Sequence, residues 1–499
     1  MDWTEHAVWW HVYPLGFVGA DTTGGDRTPA PRLLDLVPWL DHLLALGANG
    51  LALGPVFASS THGYDTIDHV TIDPRLGTES DLVELIERAH EKGVRVMLDG
   101  VFNHVGPEFP ALVEARADAS SPAAALFRRE DDGELATFEG HGGLIALDHS
   151  RPEVAELVID VMTHWCDRGA DAWRLDAAYA VPSEFWAQVL PTVRERHPDV
   201  AVVGEVLHGD YVAAVREGGL DSVTQYELWQ GIWHGIDDAN LHELAWALTR
   251  HDEFLDAFVP LTFVGNHDVT RIASQIADER HHDHATVLLF SLGGMPSVYY
   301  GDEYGLRGVK EARVGGDDAV RPAYPPAPVD GPGSGVPDAR PDVFALHQLL
   351  IGVRRRHPWL HRARSRTLSV ENGTLVLELT GGRDGAVAGG AAGGGAGAGG
   401  GADASGGGGA SGGGRASGGG GASGGGSGAG GGADGADGQV LVVALNIGDG
   451  ELRVPLGSTG AAGASGSTPE FVAGRDAGFD GADLVVGAHG WAIAAPGRV

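Results

Sequence analysis

The chain has 499 residues, with 34 Lys+Arg against 68 Asp+Glu, a formal net charge of −34, one cysteine and a hydrophobic fraction of 43%. Such acidity repels phosphate backbones and no basic stripe offsets it, so a nucleic-acid partner is excluded; the nearest candidate, Arg354-Arg355-Arg356, reads as a helix end. A lone Cys166 permits no internal disulfide framework, and no run of 18 apolar residues is present to cross a membrane.

From the N-terminus, Met1-Asp2-Trp3-Thr4-Glu5-His6 shows no basic n-region and no apolar core, so the expectation is a cytoplasmic soluble protein. Short apolar runs then alternate with amphipathic segments. Val8–Tyr13, Gly50–Leu53, Val94–Leu98, Ala172–Leu175, Ala201–Val203, Asp221–Val223, Phe258–Val264 and Ser297–Tyr300 read as buried strands. Helical patterns such as Leu33–Leu46, Glu79–Lys92 and Val154–Arg168 lie between them. Eight strands with intervening helices predict an α/β fold, a (β/α)8 TIM barrel over residues 1–105 and 151–361. Residues 106–150 break the rhythm with Pro107, Pro110, Pro122 and several glycines, and predict a small excursion domain after strand three.

After a helix at Val343–Arg356 the pattern turns to strands, at Thr374–Leu379, Val440–Asn446 and Leu484–Val486. Residues 362–499 therefore predict a C-terminal all-β sandwich domain. Of the chain's 80 glycines, 32 fall between Gly381 and Gly438, where a hairpin loop belongs. A Gly/Ser/Ala tract buries too little to fold, and a flexible coil of r.m.s. span about 40–45 Å is expected.

Four segments place polar residues at the C-terminal ends of predicted strands, the face on which a TIM barrel assembles its chemistry. They are Asp99-Gly100-Val101-Phe102-Asn103-His104, Gly169 through Asp176, Val203-Gly204-Glu205-Val206 and Phe263-Val264-Gly265-Asn266-His267-Asp268. Any one alone fits a helix N-cap; four together point to a site. Cleaving an acetal requires two carboxyl groups in different protonation states. Arg174 precedes Asp176 by two, so on a strand both face one side, and a guanidinium beside a carboxylate favours its ionised form, as a nucleophile requires. Glu205 has apolar neighbours, Val203, Val206 and Leu207; with less charge compensation it would stay protonated, as a general acid requires. Asp268 is the third carboxylate, suited to steadying positive charge.

In their order these blocks resemble the four sequence regions of the α-amylase superfamily, glycoside hydrolase family 13. His62-Gly63-Tyr64-Asp65, Ile72 through Thr78, Tyr299-Tyr300-Gly301-Asp302-Glu303 and Arg321-Pro322 fit as well, and the likeness covers roughly residues 7 to 360. The resemblance implies that Asp176 forms a glycosyl-enzyme intermediate, Glu205 acts as acid then base, and Asp268 stabilises the transition state. It implies that His104 and His267 hydrogen-bond the reacting sugar, that Tyr64 lies under its ring, and that Arg321 belongs to the substrate-binding set. Asp99 would pair with Arg174 or anchor the third loop. Trp229 and Trp233, at helical spacing after strand six, would stack on sugars or pack the helix.

The sequence also departs from the family. Tyr179-Ala180 stands where relatives carry Lys-His or Asn-Glu, and Thr61 replaces the acidic residue of many exo-acting α-glucosidases. Ile145-Ala146-Leu147-Asp148 lacks the carboxylate that often holds calcium, and Asn103 alone is a poor cation site, so no metal or other cofactor is expected. Val203 through His208 resembles the cyclomaltodextrinase and neopullulanase branch, whose extra N-terminal β-domain is not expected here, since strand one is expected to begin near Val8. The expected activity is that of a retaining α-glycoside hydrolase on short linear or cyclic maltooligosaccharides. A transglycosylase, isomerase or α-glucosidase using the same carboxylates is the alternative. The expected partner is an oligosaccharide, with no nucleic acid and no membrane.

Overall fold

The structure, a computed structural model, describes residues 2–313, 315–328, 335–381, 439–456 and 468–496. Eight parallel strands form its first sheet: β1 (Trp9–Val12), β2 (Gly50–Leu53), β3 (Arg95–Gly100), β4 (Ala172–Leu175), β5 (Ala201–Gly204), β6 (Ser222–Val223), β7 (Leu261–Phe263) and β8 (Met295–Tyr299). Their order is β6-β5-β4-β3-β2-β1-β8-β7, and a parallel bridge between Thr224 and Leu261 joins the two ends. Around this ring the register advances by two residues at four places: Arg95 to Met97, Ala201 to Val203, Ser222 to Thr224 and Met295 to Ser297. The circuit therefore returns to β1 eight residues displaced, the shear of a (β/α)8 barrel. Each strand is followed by at least one helix, from Trp39–Leu46 after β1 to Pro341–Arg356 after β8.

Local chemistry accounts for these elements. Strands β2 and β5 are buried at every residue, as a parallel sheet covered by helices requires. The helix Glu79–Glu91 starts where the Thr78 N–H donates to Asp81 Oδ2 at 2.7 Å, and it buries Leu82, Leu85, Ile86 and Ala89 as one stripe. Trp9 fills the floor of the barrel because its neighbour is Gly50, where a Cβ would come within 2.4 Å of the indole. The predicted strand Phe258–Val264 shrinks to three residues. The Phe258 N–H still donates to Phe254 O in the preceding turn, and Pro260 has no N–H to offer a ladder.

The excursion is more regular than its prolines and glycines predict. It holds a helix, Pro110–Ala117, and an antiparallel sheet of His104–Val105, Thr137–Phe138 and His141–Ala146. Pro110 opens the helix, where a missing N–H costs nothing.

The C-terminal residues form six antiparallel strands: β9 (Arg364–Glu371), β10 (Thr374–Thr380), β11 (Val440–Asn446), β12 (Leu452–Pro455), β13 (Glu470–Asp480) and β14 (Asp483–Ala495). The long β14 pairs through Asp483–Val486 with β12 and through Trp491–Ala494 with β11, so the sheet turns back on itself between them. At this bend His489 is left-handed, with φ 58°. Alternation then divides the side chains. Val376, Val442, Ala444, Val454, Leu484, Val486 and Ala492 make the inner layer, and Leu377, Leu379, Leu441, Val443, Trp491 and Ile493 join the barrel's core. The glycine-rich tract, and with it the predicted flexible coil, lies outside the described residues. Its two ends are register partners, since Thr380 pairs with Val440 and the Gly381 N–H donates to Gln439 O at 3.1 Å.

Candidate active site

At the C-terminal ends of the barrel strands lies a cleft of about 500 Å³, whose lining includes Tyr64, His104, Asp176, Glu205 and Asp268. Asp176 is the first residue past β4 and Glu205 the first past β5, so neighbouring parallel strands deliver two carboxyl groups side by side. Ala177 adopts a left-handed backbone, φ 46°, which costs an L-residue about 1–2 kcal/mol. That turn aims the Ala177 N–H at Glu205 Oε2, 3.0 Å away.

Arg174 is the hub. Its Nη1 lies 2.7 and 2.6 Å from the two oxygens of Asp99, its register partner on β3, and 3.3 Å from Asp176 Oδ1. Its Nη2 lies 2.6 Å from Glu205 Oε1. This corrects two expectations. Glu205 does not lack charge compensation, since Val203 and Val206 turn into the core and leave its carboxylate facing a guanidinium. Nor does the guanidinium beside Asp176 bring its carboxyl down as expected. Burial holds the Asp176 carboxyl well above the ordinary carboxylate range; the pull of Arg174 opposes this, and Glu205 and Asp99 add to it. Burial likewise raises Asp99 against the pull of the same guanidinium. Asp99 and Asp176, both raised by burial and facing one cation, titrate as linked groups.

Asp268 is treated differently. Burial would raise its carboxyl, but His267, Arg321 and Lys310 outweigh burial and hold it well below the ordinary range. His267 Nε2 lies 2.8 Å from Asp268 Oδ2, and Arg321 Nη2 donates to Oδ1 at 2.9 Å while its Nε holds the His267 carbonyl at 3.0 Å. The Tyr64 ring stacks on His267 at 5.3 Å, and its hydroxyl donates to Asp99 Oδ2 at 3.1 Å. Tyr64 and His267 Nε2 are also in short polar contact. Asp99, Tyr64, His267, Asp268 and Arg321 thus form one connected polar floor.

His104 departs from its expected role. Its Nε2–H donates to the Tyr64 carbonyl at 3.0 Å, and Asn103 Nδ2 donates to its Nδ1 at 3.1 Å, so both ring nitrogens are already used. Burial pushes its imidazole down to about 4, and the ring stacks on Phe138 at 4.7 Å. It supports the Tyr64 backbone and walls the cleft. Of the two tryptophans, Trp229 lines the cleft and stacks on Phe263, whereas Trp233 packs partly buried on the helix.

Tyr226 and Lys310 join the cleft without having been expected there, and Tyr179, expected only as a departure from the family, lines it too. The Tyr226 hydroxyl donates to Glu205 Oε1 at 3.2 Å and accepts from Asn266 Nδ2 at 2.9 Å. The Tyr179 hydroxyl donates to Glu139 Oε1 at 2.7 Å, tying the excursion to the loop after Asp176. Lys310 places its Nζ 4.0 Å from Asp268 Oδ1 and 3.6 Å from Asp317. It carried a signal: a chain with only two lysines keeps one of them in the cleft. Among the described residues no three His, Cys, Asp or Glu side chains converge as metal ligands, and no helix is long and apolar enough to cross a membrane.

Several known proteins have related sequences or folds. The chain is 31% identical over 345 residues to a cyclomaltodextrinase of Geobacillus thermopakistaniensis (strain MAS1), and 30% identical over 338 residues to a maltogenic alpha-amylase of Bacillus acidopullulyticus. Each match takes in 62% of this chain but only 57% of the relative. A ligand-free cyclic alpha-maltosyl-(1-->6)-maltose hydrolase from Arthrobacter globiformis has the same fold, with a TM-score of 0.72 at 24% identity, covering 100% of this chain and 99% of that one. The alpha amylase catalytic-domain family matches residues 12–137 and 133–324. With an eight-strand barrel of shear eight and this acid cluster at its strand ends, the chain belongs to the alpha-amylase family.

Proposed function

We propose that the chain is a retaining α-glucan hydrolase acting on short linear or cyclic maltooligosaccharides. The observation that carries this reading is the single Arg174 guanidinium touching Asp99, Asp176 and Glu205 in a cleft that also holds Asp268. In the proposed reaction Asp176 attacks the anomeric carbon as its bond to the glycosidic oxygen breaks, and Glu205 passes a proton to that oxygen. Water then attacks the same carbon, gives its proton to Glu205 and releases the Asp176 carboxylate. Asp268, held ionised by His267 and Arg321, steadies the oxocarbenium-like charge and accepts sugar hydroxyls. Two carboxylates spanned by one guanidinium favour the short separation of retaining over inverting enzymes.

At the excursion, Asn103 is committed to His104 and Ala146 brings no carboxylate, which supports a site without structural calcium. The reaction is placed in the cytoplasm, a compartment that suits the single, buried and unpaired Cys166.

A second reading gives the glycosyl intermediate to a sugar instead of water. The aromatic wall of Phe138, Tyr179, Tyr226 and Trp229 favours it, because such faces bind an acceptor sugar. The purified protein should be incubated with cyclodextrins, maltotriose, pullulan and starch, and the products and their anomeric form identified. Release of α-anomers from the short and cyclic substrates is expected. Release from starch alone would sink the main reading, and longer products at high maltose would establish the second.

A further inference from the structure

Beneath the cleft floor lies a second, smaller cavity of about 40 Å³ inside the barrel, lined among others by His11, Met97, Arg174, Thr224, Asn266 and His267. It has room for an ordered water, and although most of its lining is apolar, His11, Thr224, Asn266 and His267 supply the polar partners such a water needs. His11 enters it from β1, two residues after Trp9 and so on the same inward face. The His11 ring meets His267 edge-on, with centroids 5.2 Å apart at 88°, and lies 5.3 Å from Tyr299. On His267, Nε2 is engaged by Asp268 and Tyr64, while Nδ1 is buried and has no hydrogen-bond partner among the described residues. A buried ring nitrogen left unpaired is costly, and what faces it decides which nitrogen carries the hydrogen.

We propose that His11 is a positioning residue: through a water in this cavity it hydrogen-bonds His267 Nδ1 and fixes that ring with Nε2–H directed at Asp268. This rests on the reading of Asp268 and His267 as parts of a glycoside-cleaving site. The titratable and charged groups facing His11 are His267, Arg174, Asp268, Arg321 and Tyr299. Burial holds its imidazole well below the ordinary range, and the Arg174 guanidinium adds to this. It therefore stays neutral and offers one N–H and one lone pair to the bridge.

The test compares wild type, His11→Phe and His11→Gln on maltotriose, reading kcat, KM and the pH profile of kcat/KM. Phe keeps the bulk and loses the hydrogen bond; Gln keeps a donor and an acceptor. Phe is expected to lower kcat roughly tenfold or more with KM within about threefold, because the floor loses its alignment. Gln is expected to restore kcat to within about threefold of wild type. A Phe variant as fast as wild type, or a Gln variant as slow as Phe, overturns the proposal, because packing alone would then explain His11. A second measurement does not need turnover. In 15N-histidine NMR of the wild type, with His267 assigned by its loss in His267→Gln, the Nε2–H form is expected, with an Nδ1 shift that moves in His11→Phe. An Nδ1–H form, or no movement, overturns it. If wild type turns over none of the substrates, the functional reading fails, and the NMR still decides the role of His11.

Discussion

Arg174 Nη2 lies 2.6 Å from Glu205 Oε1, closer than the same guanidinium comes to Asp176. The two residues sit on neighbouring strands, and the register that pairs Val203 with Arg174 sets the offset between them. One cation therefore serves the acid/base candidate, the nucleophile candidate and Asp99 together. This arrangement ties the chemistry of the site to the stability of the barrel.

Replacing Arg174 with Met should destabilise the fold by about 3–5 kcal/mol at neutral pH, the usual cost of orphaning buried charges. Asp99 and Asp176 have folded values above the ordinary one, so the native state binds more protons than the unfolded chain. Their ionisation thus erodes stability as pH rises from the ordinary carboxylate value through the folded one. Without Arg174 that window widens upward. Urea unfolding from pH 4 to 8 should show a gap between variant and wild type that closes toward pH 4. A gap constant with pH would show that the acids are not coupled to Arg174.

Glu205→Gln removes the proposed proton donor while keeping the shape, and should lower kcat on maltotriose about 10²–10⁴-fold. The loss should shrink sharply on an aryl maltoside whose phenolate leaves without protonation. Equal losses on both substrates would remove Glu205 from the acid role. Asp176→Asn should abolish turnover of both, and full activity in that variant would reject it as the nucleophile.

The candidate catalytic set was legible because it depends on strand ends and on period-two spacing: Arg174 and Asp176 share a face in any strand. The lengths of the contacts were not legible, since they follow from barrel register, which places Asp99 opposite Arg174. His104 read as a free donor because nothing local shows that Asn103 and the Tyr64 carbonyl occupy both nitrogens. Tyr226 was hidden at the first turn of a helix, where an amphipathic pattern explains it equally well. Among the C-terminal strands, β9, β12 and β13 were missed. Their burial is partial and β13 is interrupted by Gly474 and Gly478, so neither alternation nor an apolar run announces them.

Three buried histidines make the fold acid-sensitive. Burial pushes His104 and His251 down to about 4 and His284 to about 3. Above the ordinary imidazole value they contribute no pH dependence. As pH falls from about 6.5 toward 4 the unfolded chain takes up protons that the native state refuses, and stability drops. His284 spans the barrel helix and the C-terminal sheet, with Nε2 3.2 Å from Asn446 O and 3.0 Å from Gly490 O. His284→Gln keeps an N–H donor without the titration. Its Tm should fall less steeply than that of wild type between pH 6.5 and 4, and parallel Tm curves would rule His284 out as a contributor.

The glycine-rich tract enters and leaves the C-terminal sheet at one pair of register partners, Thr380 and Val440, on strands hydrogen-bonded along their whole length. A two-residue or four-residue turn could join the same ends. Closing a loop costs entropy only logarithmically, so replacing residues 383–436 with a short turn should stabilise the protein by about 2 kcal/mol. Every candidate catalytic residue lies on the barrel, upstream of the tract, and its loop ends touch none of them. Turnover of maltotriose by the shortened protein should therefore stay within about twofold of wild type. Unfolding and kinetics measured side by side separate the outcomes. A large fall in kcat with stability intact would mean that the tract reaches the cleft or an interface, whereas a fall in stability would mean that it contributes structure of its own.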